Sequence, residues 1–278
     1  MKRYRVLNYD FDTRANFLTI SIKPDWEENV KKQWENNKRH VREGLLFTYG
    51  IEDSEQKIQN FIDIGAIPFS VIAFHNVFFR QSREAFVIGS YYPALTSACA
   101  LGERILNQLI LHLRDYFKLS PEYKKVYRKD SFDDWDLAIN VLENWKVLLP
   151  STAQSFRELK AIRNASLHFN PETDTNTRQT AKEAIKKLSA IIQEQFAGFG
   201  KQPWFIPCRK GTTFVRKDWE NNPFVKEIIL PNCYLVGYKH KLDQKNGKWI
   251  VHDDYSYNLN EILSDEKFIE LFENVKNV

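Results

Sequence analysis

The segment from Tyr91 to about Phe117 constrains the fold most. Its apolar residues (Leu95, Cys99, Leu101, Ile105, Leu106, Leu109, Ile110 and Leu113) have helical spacing but lie on several sides of the helix rather than along one stripe. A helix apolar around so much of its circumference must be enclosed by other elements. It therefore predicts the centre of a helical domain, and Pro93 is tolerable near its first turn. Further helices are predicted around it. Phe74, Val77, Phe78, Gln81, Ala85 and Ile88 follow an i, i+3, i+4 rhythm. A helix spans about Asp133 to Trp145. Another follows Ser151-x-x-Gln154, a capping-box pattern, and ends by Asn170 because Pro171 comes next. A fifth runs from about Thr177 to Phe196.

The flanks have a different texture. Arg3 to Asp10 and Asn16 to Lys23 alternate and read as a hairpin, with Asp12-Thr13-Arg14 as turn material. Asp25 to Glu43 reads as a helix with Gly44 as its stop, and a short helix follows Asp53, which caps it with Gln56 three residues on. Beyond Gly200, the stretches Thr212 to Lys217, Val225 to Leu230, Tyr234 to Lys241 and Lys248 to Asp254 read as strands. Asn246-Gly247 marks a turn between the last two, and a closing helix covers about Ser264 to Val275. The expected fold is mainly α: a central helical bundle over residues 70–198, an N-terminal β-containing region over 1–69 and a small β-rich region with a closing helix over 199–278.

Composition narrows the function classes. Of 278 residues, 43% are hydrophobic and 27% charged, which excludes a disordered chain, a collagen and a coiled-coil rod. The net charge of +4 divides as 0 over residues 1–69, +3 over 70–198 and +1 over 199–278. This permits a nucleic-acid partner without demanding one. Cys99, Cys208 and Cys233 form no CxxC pair, so free thiols in a reducing cytosol are expected. With no signal-peptide pattern and no apolar run near the ~20 residues of a membrane span, a cytoplasmic protein with no membrane partner is expected. The histidines show no metal-ligand spacing, and neither GxGxxG, GxxxxGK[ST] nor GxSxG occurs. No metal and no cofactor is expected.

One segment carries candidate chemistry, Leu159 to Pro171. Asn164 and His168 stand at i and i+4 and share a helix face. Arg163 lies about 140° from His168 around an ideal helix, and its long arm can swing toward that face. His168 falls in the last turn, where carbonyl ends favour the imidazolium. An arginine to hold a phosphate, an amide to orient it and a histidine to move a proton suit phosphodiester chemistry. Glu103 sits on the face of the long helix with Cys99, Leu106 and Ile110. A carboxylate on so apolar a stripe needs a partner, either Arg163 or His168, or a structural basic residue elsewhere.

Arg163-Asn164-Ala165-Ser166-Leu167-His168, at the end of a helix within an all-helical block, resembles the motif of ribonuclease members of the HEPN superfamily (higher eukaryote and prokaryote nucleotide-binding domains). Gly102-Glu103-Arg104 on the long upstream helix and the stretch from Ala85 to Leu95 add to the likeness, which covers about residues 70–198. The resemblance implies a helical bundle that forms a homodimer with two Arg–His motifs in one cleft. It implies metal-independent cleavage of RNA, with the 2′-hydroxyl as nucleophile and a cyclic phosphate as product. Carried over, His168 is the general acid or base, Arg163 the phosphate anchor, Asn164 an orienting group and Glu103 a further member of the site. A toxin-like or host-defence effector, with an antitoxin protein as a further partner, fits that class. Other members bind nucleotide or RNA without cutting it, and that alternative stays open. So does a plain structural role, with Arg163 paired to Glu158 or another carboxylate and His168 a helix-end residue.

Overall fold

In a computed structural model the chain is described over residues 2–167, 176–199, 202–206, 211–257 and 263–276. The elements run β1 (Lys2–Val6), β2 (Tyr9–Asp12), α1 (Arg14–Thr19), α2 (Glu28–Tyr49), α3 (Ser54–Asp63), β3 (Ile67–Val71), α4 (Asn76–Val87), α5 (Tyr91–Leu113), α6 (Tyr123–Val126), α7 (Trp135–Asn144), α8 (Pro150–Leu167), α9 (Thr177–Phe196), β4 (Cys233–Gly237), β5 (Lys241–Lys245), β6 (Lys248–His252) and α10 (Asp265–Lys276). The fold is mainly α with short antiparallel strand pairs at its flanks. Among the described residues no helix is long and apolar enough to cross a membrane.

α5 is the hub. α4, α7, α8 and α9 all pack against it, and Leu95, Ile105, Leu106, Leu109, Ile110 and Leu113 are fully buried. Its apolar circumference is thus used on several sides. The same apolar cluster reaches Val6, Ala15 and Leu45 at one flank and Trp204, Phe224 and Ile228 at the other. A second, smaller cluster gathers Ile206, Phe214, Val236, Phe268 and Phe272 under the C-terminal helix. Arg3 fastens that helix to β1: its Nε donates to Asp265 Oδ1 at 2.8 Å and its Nη2 to the Leu263 carbonyl at 2.7 Å.

The flanks depart from the sequence reading where pairing is long-range. The expected hairpin at residues 3–23 does not form. β1 pairs with β4, with Lys2 opposite Gly237, while β2 pairs with β3, and residues 14–19 are helical. Alternation gives a strand its faces but not its partner. The chain turns at Asp12, whose carboxylate accepts from the Arg14 backbone N–H at 3.0 Å and from the Arg14 guanidinium at 2.8 Å. Gly44 does not stop α2, which continues to Tyr49 and ends at Gly50, whose positive φ of 80° glycine adopts without strain. Asp53 makes no side-chain cap for α3, and Gln56 donates instead to Asn60 Oδ1.

Residues 225–230 are not a strand but a single π-helical stretch, Val225–Ile229, begun where the Asn222 side chain accepts from the Val225 N–H at 3.2 Å. So short an apolar run carries no period that separates strand from helix. Thr212 to Lys217 supplies isolated bridges, Arg5 to Phe214 and Phe205 to Val215. The Asn246-Gly247 turn forms as expected, with both residues at positive φ and Lys245 opposite Lys248, but the strand before it is Lys241–Lys245, while the expected strand from Tyr234 to Lys241 ends as β4 at Gly237 and pairs with β1.

Candidate functional site

The site is built where α5, α7 and α8 meet. Asp134 caps α7, its Oδ1 accepting from the Leu137 N–H at 3.1 Å. Asn107 on α5 grips the preceding loop, donating to the Phe132 carbonyl at 2.9 Å and accepting from its N–H at 2.7 Å. These contacts place Trp135, the first residue of α7, against Gly102. A Cβ at residue 102 would lie 2.7 Å from the Trp135 ring and 2.7 Å from Leu159 Cδ2. Only glycine admits this approach.

With its ring so placed, Trp135 donates its indole N–H to Glu103 Oε2 at 3.0 Å. The same oxygen lies 3.3 Å from Arg163 Nη2. Arg163 Nη1 donates to Asn164 Oδ1 at 3.4 Å, and the guanidinium carbon sits 5.8 Å from the Trp135 ring centre. Of the four residues singled out in the sequence, Glu103, Arg163 and Asn164 are therefore neighbours. His168 lies outside the described residues. Glu158, the alternative partner for Arg163, is taken by Lys187 at 2.5 Å and by Gln154.

The electrostatics suit a ligand-facing arginine. The Arg163 and Glu103 side chains are 28% and 34% exposed, so the pair contributes under ~1 kcal/mol to stability. Its effect is to orient the guanidinium. A guanidinium has five N–H donors, and Glu103 and Asn164 leave several for a phosphate. Cys99 lies beneath: burial pushes its thiol up to about 12, with Arg163 pulling weakly the other way. Among the described residues no cluster of His, Cys, Asp and Glu suits a metal ion.

Other histidine, aromatic and cysteine side chains fall elsewhere. His112 is exposed beside Phe74. Tyr91 is half-buried and accepts from Asn60 Nδ2 at 3.1 Å, whereas Tyr92 is exposed. Trp249 spends its indole N–H on the Leu7 carbonyl at 3.0 Å. Cys99 and Cys233 are free thiols, and Cys208 lies outside the described residues. Sequence reasoning missed Trp135, and it quoted Gly102 without its role. That role comes from one contact between helices more than thirty residues apart. Comparison of the chain with family models, with curated proteins and with solved structures found no match.

Proposed function

We propose that the chain is a HEPN-type, metal-independent endoribonuclease. The observation that carries this reading is the meeting of Glu103, Arg163 and Asn164 on a half-open face at the C-terminal end of α8. Arg163 holds the phosphate. The 2′-hydroxyl oxygen attacks phosphorus, the 5′-oxygen leaves, and a 2′,3′-cyclic phosphate remains. One proton leaves the 2′-hydroxyl and one joins the 5′-oxygen, so the step needs a base and an acid. Two copies of His168 across a homodimer supply both. Toxin-like or host-defence action in the cytoplasm, with an antitoxin as a further partner, belongs to the same reading.

The ion pair itself favours a second reading, a non-catalytic HEPN dimer that binds nucleotide or RNA. A guanidinium already matched by Glu103 has less charge to offer a transition state. RNA cleavage in excess EDTA by wild type, Arg163→Ala and His168→Ala separates the two, with circular dichroism as the folding control. The nuclease reading expects EDTA-resistant cleavage and a loss of about 10²–10⁴-fold in His168→Ala. Equal cleavage by that variant refutes the assignment. RNA binding without cleavage by wild type installs the second reading.

A further inference from the structure

Around the Arg163 site the cations are matched. Arg157 pairs with Glu143, Lys160 with Asp136 and Arg163 with Glu103. Arg104, the next residue along α5, is the exception. It is exposed, and among the described residues it has no carboxylate partner; its guanidinium lies over the ring of Phe78 on α4, 4.6 Å from the centroid. Phe78 is itself 41% exposed and its neighbour Val77 is 65% exposed.

Phe78 and Arg104 line an open groove of about 280 Å³ between α4 and α5. Ala100 and Leu101 also line it, and its uncharged polar groups are Gln81 and Ser97. The Ser97 hydroxyl donates to the Ala94 carbonyl at 3.1 Å, which leaves its lone pairs as acceptors. Gln81 offers both an amide donor and an acceptor. The volume is near the lower end of small-molecule sites, ~300 Å³, a size for a base with its sugar rather than a larger ligand. Adjacent helix residues point about 100° apart. Glu103 and Arg104 thus put the Arg163 site and this groove on neighbouring faces of one helix.

We infer that the groove holds one nucleotide of single-stranded RNA next to the phosphate at Arg163. This rests on the RNA reading of the Arg163 site. The base stacks on the guanidinium plane that Phe78 supports, as bases stack on arginine and aromatic planes in single-strand recognition. Gln81 meets the base edge, and the outer N–H groups of Arg104 take the adjoining phosphate. The unmatched charge is what selects RNA over a protein as the occupant.

The test is fluorescence anisotropy with a short labelled RNA whose 2′-hydroxyls are methylated, so that it cannot be cut, titrated with the full chain over a range of salt. Phe78→Leu removes the ring that holds the Arg104 plane and should weaken binding by up to about 150-fold, the most that losing one stacked base costs, with the salt slope unchanged. Arg104→Gln should weaken binding and reduce the slope of log K against log salt by about 0.7, one phosphate contact fewer. Both side chains are exposed, so circular dichroism should match wild type. If both variants bind as wild type while Arg163→Ala is weakened, the groove assignment is overturned and the function reading survives. If wild type does not bind RNA, both fall. If both variants are weakened but unmethylated RNA is not cut, the groove stands and the nuclease does not. Should the variants leave RNA affinity intact and instead dissociate an oligomer in light scattering, the groove is a protein contact and the nucleotide assignment is overturned.

Discussion

Two glycine-to-alanine substitutions on helices should have opposite signs, and the difference measures how tightly the site is assembled. Gly44 lies inside α2 with nothing within 4 Å of a Cβ built there. Gly44→Ala should gain the helix-propensity difference, ~1 kcal/mol. Gly102→Ala gains the same preference, but its methyl must enter space held by Trp135 and Leu159 at 2.7 Å each. Trp135 is 1% exposed and Leu159 is fully buried, and Phe156 packs edge-on against the indole. The ring has no room to retreat without opening the α5–α7 contact. Overpacking of this kind costs ~1–3 kcal/mol, so the net change should be a loss of up to ~2 kcal/mol. At ~2–4 °C per kcal/mol for a chain of this size, Gly44→Ala should melt ~2–4 °C above wild type. Gly102→Ala should melt below wild type, by as much as ~8 °C. Thermal melts followed by circular dichroism, with urea titrations as a second measure, read both. A Gly102→Ala protein that melts at or above wild type would mean that Trp135 is not pressed onto α5. The support for Glu103, and through it for Arg163, would then be lost from the account.

Three further outcomes follow from the same contacts. Glu103→Gln keeps an acceptor for the Trp135 indole and removes the charge facing Arg163; with the pair about one-third exposed, urea titration should show a loss below ~1 kcal/mol, and a loss above ~3 kcal/mol would identify a buried pair instead. His75 is fully buried, its Nδ1 has no hydrogen-bond partner among the described residues, and burial pulls its pKa from 6.5 down to about 3. The unfolded chain therefore takes up a proton that the folded chain refuses, and stability falls as pH drops from about 6.5 toward about 3, by at most ~1.4 kcal/mol per pH unit from this group. His75→Gln should flatten that acid limb in urea midpoints measured across pH, and an unchanged limb would remove His75 as its cause. Burial raises both the Cys99 and the Cys233 thiols, so iodoacetamide at pH 8 should leave both unmodified until the protein is unfolded; rapid labelling of either in the native state, located by peptide mass mapping, would contradict their burial.

The helical core was legible because its signals are local. α5 and α9 appear at their expected places, since an apolar period of 3.6 is written into each segment. The β5–β6 turn was legible for the same reason, Asn246 and Gly247 being the residues that tolerate positive φ. Strand partners were not legible. β1 finds β4 more than two hundred residues away, and nothing in the alternation of Arg3 to Val6 says so. The Glu103–Arg163 contact lies between these cases. A carboxylate on an apolar face demands a cation, which names a short set of partners, but the choice among them is made by the Gly102–Trp135 approach. That approach depends on the caps and loop contacts of α7.

α4 shows how a burial choice made elsewhere can open a site. Its sequence carries two apolar faces, one through Val77, Phe78 and Ile88, the other through Phe79, Phe86 and Val87. Periodicity ranks the first as the core face, yet the structure buries the second and leaves Val77, Phe78 and Ile88 exposed. Arg83 accounts for the rotation. It lies between Phe79 and Phe86 on the buried face, which a count of apolar positions penalises. However, the carbonyls of Ile64 and Gly65 at the end of α3 need donors, and Arg83 reaches both, Ile64 at 3.1 Å. A guanidinium satisfied by carbonyls, with its central carbon over the Phe79 ring at 5.5 Å, can enter the core where a bare charge cannot. Turning Arg83 inward turns Phe78 outward, against Arg104 on α5. The groove beside the Arg163 site thus follows from the need to satisfy a helix end on the opposite side of α4.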